Sequence, residues 1–92
     1  MACAYILIKT LPGHEREVYY KCFYIPEICE AHPLVGEYSL IVKIKTDAYD
    51  ALGYVAADKI GKVDNITAAE ILPVLEDSSI HQRLETPLQN VL

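Results

Sequence analysis

The chain has 92 residues, too few for two domains with a core each, and its 52% apolar and 23% charged residues form a composition that folds rather than stays disordered. Eight Lys and Arg stand against thirteen Asp and Glu; a net charge of −5 is the wrong sign for displacing counterions from phosphates, so no direct nucleic-acid partner is expected. No run approaches the ~20 apolar residues of a membrane span, Met1 to Thr10 lacks a signal peptide's basic leader, and Cys3, Cys22 and Cys29 form no CxxC pair, so a reduced, cytoplasmic protein with cysteines packed as small hydrophobes is expected.

Cys3 to Thr10 is a short, partly β-branched apolar run halted by Leu11-Pro12-Gly13, which predicts a strand and a turn. His14 to Glu17 place acid in a first helical turn, and Val18, Cys22 and Ile25 recur as a buried stripe up to Pro26. Glu27 to Leu34 reads as a weaker strand, Val35-Gly36-Glu37 as a connection, and Tyr38 to Lys45 as the strongest strand, the two forming a hairpin. Thr46-Asp47 is a candidate helix cap, after which Ala48, Leu52, Val55, Ala56 and Ile60 keep the 3.6-residue period and Gly61 allows an exit. Asp64-Asn65 turns into a last strand, Ile66 to Glu76.

Two strand-helix-strand halves, residues 3–34 and 38–76, predict an α+β, ferredoxin-like βαββαβ fold. Right-handed crossovers put both helices on one face of a four-stranded antiparallel sheet. The expectation further has the first and third strands central and parallel to each other, and the last strand, with Pro73, on an edge. Residues 1–76 form the domain, and residues 77–92 a tail with one short helical turn. Strand one carries Ala4, Ile6 and Ile8 against Tyr5 and Leu7; strand three carries Leu40, Val42 and Ile44 against Ile41; strand four adds Ile71 and Leu75. Apolar side chains on the face without helices predict a sheet-to-sheet homodimer, an α/β sandwich, with cover of this face inside one chain by the C-terminal tail or the Tyr5 and Lys43 stems as the alternative.

Chemistry-bearing constellations are few. His14, His32 and His81 have no ligand spacing between them, Cys29 and His32 fall on opposite faces of one strand, and neither GxGxxG nor GxxxxGK[ST] occurs, so no metal, nucleophile or cofactor is expected. What remains is Leu34 to Ser39. A glycine at φ > 0 frees nearby amides to meet a carboxylate, and Glu37 with Asp47 would meet an ammonium, which together suit a zwitterionic amino acid; a plain hairpin glycine beside solvated acids is the alternative.

The order and separation of Ala4-Tyr5-Ile6-Leu7-Ile8, Pro12-Gly13, Glu17-Val18, Ile25-Pro26-Glu27-Ile28, Gly36-Glu37-Tyr38, Leu40-Ile41-Val42-Lys43, Asp58-Lys59-Ile60, Ile66-Thr67 and Leu72-Pro73-Val74-Leu75 resemble the effector-binding (RAM) domain of the Lrp/AsnC transcription regulators. The resemblance implies dimerisation through the sheets, further assembly into octamers or rings, and small amino acids bound where dimers meet. It maps ligand binding onto Gly36, Glu37, Tyr38 and Ser39, with Thr67 as a weaker candidate. Ser39 stands where the family usually has an acid suited to the ligand's ammonium. Family regulators also carry an N-terminal helix-turn-helix, whereas this chain begins two residues before its first strand. A stand-alone, non-enzymatic module is therefore expected, one that senses an amino acid and either joins a full-length Lrp/AsnC-type regulator in its oligomer or serves by itself as a small ligand-responsive oligomer. A small ferredoxin-like monooxygenase, which would need polar groups inside the fold, and a purely structural oligomer are the alternatives.

Overall fold

The structure, a computed structural model, describes residues 1–75. Glu76 and the expected tail 77–92 lie outside them.

The elements follow the expected order: β1 (Ala2–Thr10), α1 (Glu15–Cys22), β2 (Ile28–Pro33), β3 (Leu40–Thr46), α2 (Asp50–Tyr54) continuing into a π-helical segment (Val55–Ile60), and β4 (Ile66–Pro73). The sheet order is β2-β3-β1-β4, with every neighbouring pair antiparallel. The fold is α+β and ferredoxin-like, as expected. The expectation that the two central strands are parallel is corrected. The α1 crossover makes β2 run with β1, and the hairpin then reverses the chain, so β3 runs against β1. Pro73 closes β4 on the edge, where a missing N–H breaks no inner ladder.

Period-two alternation builds the core. Ala4, Ile6 and Ile8 of β1 pair with Ile44, Val42 and Leu40 of β3, and all six are fully buried beneath Val18 and Cys22 of α1 and Leu52, Val55 and Ile60 of the second helical stretch. Burying side chains of this size stabilises by ~1.5–3 kcal/mol each. Ile71 lies opposite Ile6 and packs on the same core, so β4 lends its large aliphatic to the helix side, while Leu75 lies beyond the strand and is exposed. Among the described residues the core is wholly apolar. The one buried polar side chain among the described residues is Thr46, whose hydroxyl donates to Ala48 O (2.7 Å).

Three local expectations are revised. Thr46 and Asp47 do not cap α2: the helix starts at Asp50 after Tyr49, without a side-chain cap, and Thr46 turns back on the loop instead. Gly61 is right-handed (φ −62°), so it is no left-handed exit; a Cβ there would stand 2.5 Å from Ala57 O, so any side chain forces the backbone to shift. Of the three free cysteines, Cys22 alone is fully buried, and burial pushes its thiol pKa up; Cys3 is half-buried and Cys29 exposed.

The opposite face is mixed. Tyr5, Leu7, Ile41 and Leu72 form its apolar part, and Lys43 reaches over the Tyr5 ring (5.6 Å to the centroid) with Glu30 at 3.8 Å. No helix among the described residues is long and apolar enough to cross a membrane.

Candidate functional site

Leu34 N–H donates to Ser39 O (2.9 Å), and Ser39 N–H donates to Ile8 O (2.8 Å), closing a loop where β2 meets β3. Gly36 sits inside it at φ +132°, a backbone state that L side chains rarely adopt, with open space around its Cβ position. Among the described residues the N–H groups of Val35, Gly36, Glu37 and Tyr38 donate to no protein acceptor, so four successive donors are available to an anion.

All four candidate side chains converge on the end of β1. Lys9 Nζ donates to Glu37 Oε2 (3.2 Å) and lies 5.3 Å from the Tyr38 ring centroid. Thr10 donates to Ser39 Oγ from both its backbone N–H and its hydroxyl, each at 3.2 Å. Thr67 donates to Lys9 O (3.3 Å). Lys9 pairs with Ala68 while Thr10 pairs with Ile66, so Thr67 is the extra residue of a β-bulge, which re-aims its side chain. Tyr38 spans two strands to donate its hydroxyl to Glu70 Oε1 (3.1 Å); that bond above all, then desolvation and the Glu70 charge, raises the phenol pKa from its ordinary value.

Gly36, Glu37, Tyr38, Ser39 and Thr67 are thus brought together. Asp47 is not: the whole length of β3 separates it from Glu37, some ~20 Å at strand rise, so the expected pair of acids around one ammonium is corrected. The sequence reading missed Lys9, Thr10 and Glu70. In the sequence Lys9 is only the polar end of an apolar run, and one lone cation closing a central strand is the available signal. Glu70 has no signal until the register sets it opposite Leu7.

Two grooves lie elsewhere on the described surface. One, about 430 Å³, runs between α1 and the β2/β3 ends, lined by Glu15, Arg16, Tyr19, Tyr20, Pro33 and Leu40; the other, about 350 Å³, lies at the far end of β3 beside Lys45, Asp47 and Tyr54. Among the described residues no three His, Cys, Asp or Glu side chains gather as a metal site.

The Lrp/AsnC ligand binding domain matches this chain over residues 3–84. The chain belongs to the Lrp/AsnC family. The HTH-type transcriptional regulator FL11 of Pyrococcus furiosus is 33% identical over 73 residues, covering 79% of this chain and 48% of the regulator. Regulatory protein AsnC of Escherichia coli K12 is 36% identical over 53 residues, covering 58% of this chain and 35% of AsnC. This Lrp/AsnC chain therefore spans half or less of the length of the curated relatives it matches. Among solved structures, FFRP-DM1 is 39% identical with a TM-score of 0.77, covering 82% of this chain and all of its own. The hypothetical protein PHS023 of Pyrococcus horikoshii is 37% identical with a TM-score of 0.76, covering 88% of this chain and 98% of its own. The Lrp/AsnC match spans β1 to β4, including the loop around Gly36.

Proposed function

We propose that the chain is an amino-acid-responsive ligand-binding and oligomerisation module of transcription regulation, acting in the cytoplasm without catalysing a reaction. The observation that carries this reading is the loop at Gly36, whose amides from Val35 to Tyr38 have no acceptor among the described residues, with Glu37 in the loop and Glu70 bonded to its Tyr38. Opposed anion- and cation-seeking groups within one loop's reach suit a free amino acid better than a purely anionic or cationic ligand. Membership of a ligand-binding family of regulators supports the same reading. This chain covers all of the solved FFRP-DM1 chain and 98% of the PHS023 chain, which supports a module that works through partners. Those partners are other copies of this chain, as a dimer through the open sheet face or a larger ring, and a full-length regulator sharing the assembly.

A ligand held where copies meet stabilises the assembled form by mass action, by ~2.7 kcal/mol at a hundredfold excess over its dissociation constant. The test is calorimetric titration of the purified protein with each of the twenty amino acids. Heat from one or a few is expected, and silence across all with an intact oligomer would leave a structural role. Gly36→Val, which forces a β-branched side chain into φ +132°, is expected to lower amino-acid affinity about tenfold or more through backbone strain while the dimer persists. Unchanged affinity in that variant would count against the loop.

A further inference from the structure

Among the described residues three charged groups are linked at the loop by hydrogen bonds: Glu37 within it, Lys9 bonded to Glu37, and Glu70 bonded to Tyr38. Lys9 lies 3.2 Å from Glu37, so this carboxylate is already neutralised from within the chain. A second cation brought to Glu37 would sit beside the Lys9 ammonium and be repelled by it. Glu70 is placed differently. It stands on β4 opposite Leu7, and among the described residues no Lys, Arg or His nitrogen lies within 4.0 Å of its carboxylate. Its one hydrogen-bond partner there is the Tyr38 hydroxyl, which occupies one oxygen and leaves the other open. Tyr38 is itself a loop residue, so this carboxylate is fastened to the same segment that carries the free amides.

We propose that Glu70, held by Tyr38, receives the ammonium group of the amino-acid ligand, and that Glu37, matched by Lys9, does not. The proposal rests on the reading of the loop as an amino-acid site and assigns the acid that Ser39 does not provide. The ligand carboxylate meets the amides of residues 35–38. Its ammonium donates to the open Glu70 oxygen and to the lone pair of the Tyr38 hydroxyl, which donates its own proton to Glu70. The ligand class follows: a carboxylic acid bearing a free α-amino group.

The experiment measures affinity by calorimetry for the tightest-binding of the twenty amino acids and for its analogue lacking the amino group. Both ligands are titrated into the unaltered protein, Glu70→Gln and Glu37→Gln. A charge-assisted hydrogen bond predicts that Glu70→Gln weakens the amino acid about tenfold or more while leaving the deamino analogue unchanged. Glu37→Gln, which removes a carboxylate already satisfied by Lys9, is expected to change the amino acid by less than about threefold. A tenfold loss in Glu37→Gln with none in Glu70→Gln overturns the assignment and leaves the amino-acid reading standing, and so does equal weakening of both ligands by Glu70→Gln. Silence of the unaltered protein toward all twenty amino acids overturns that reading and the assignment together.

Discussion

Glu27 and Lys59 are joined by two contacts, with Lys59 Nζ 2.9 Å from Oε1 and 2.7 Å from Oε2, and they fasten the approach to β2 onto the π-helical segment. Glu27 also accepts Lys45 N–H at its backbone carbonyl, so the residue ties three elements at one point. Chiefly through the hydrogen bond from Lys59, the Glu27 carboxyl is held below the usual carboxylate range. A carboxylate whose pKa is depressed in the folded state adds stability above its unfolded pKa and loses it as pH falls through the folded value. Lys59→Met is therefore expected to lower the urea midpoint at neutral pH, modestly because both side chains are partly exposed, and to converge on the parent protein below the ordinary glutamate range. Equal offsets at both pH values would show that Lys59 acts through packing alone. The partners are 32 residues apart, and neither has a sequence neighbour that predicts the other; only the fold brings them together. The core residues of β1 and β3 were legible because alternation places them without any knowledge of partners.

The second helix shows where periodicity stops being a guide to geometry. Ala48, Leu52, Val55, Ala56 and Ile60 fit a 3.6-residue repeat, yet the segment from Val55 on is π-helical and Gly61 N–H donates to Ala56 O (2.9 Å), five residues back. Val55 and Ile60 are both buried and five apart, a spacing that an i→i+5 segment brings to one side. A hydrophobic pattern reports which side chains face inward and is nearly blind to one extra backbone atom set per turn. Two glycines in this stretch give opposite expectations. Gly53 has nothing within 4 Å of its Cβ position, so Gly53→Ala should raise stability by about 0.5–1 kcal/mol through helix propensity. Gly61→Ala places a methyl 2.5 Å from Ala57 O and should cost about 1–3 kcal/mol. Thermal melts of the pair check the signs, and stabilisation by both would mean that the chain at Gly61 relaxes freely. The Thr46 cap failed for a related reason: the threonine is buried at the end of β3, and its hydroxyl is used before the helix starts.

At the scale of the molecule, the sheet face without helices carries Tyr5, Leu7, Ile41 and Leu72 in adjoining strands. Leu7 lies between Ile41 and Glu70, near the middle of this surface. If copies pair there, Leu7→Glu adds a second carboxylate beside Glu70 inside the contact and should give a species of half the parent's mass in sedimentation at micromolar concentration, with unchanged circular dichroism. A parent protein that already sediments as a single chain would remove the pairing. The loop residues of the candidate site were legible, because a glycine needing positive φ and its neighbours are local facts. Lys9, Thr10 and Glu70 were not, because they reach the loop through the pairing of β1 with both β3 and β4. That pairing has a mechanical corollary. β1 is stitched along both flanks, and its end grips the loop through the Lys9 ammonium, the Thr10 hydroxyl and the Ile8 carbonyl at once. Any tug on the loop must either stop in those side chains or shear two ladders together, which would carry the displacement along the row of Leu7 and Tyr5 to the far side of the slab.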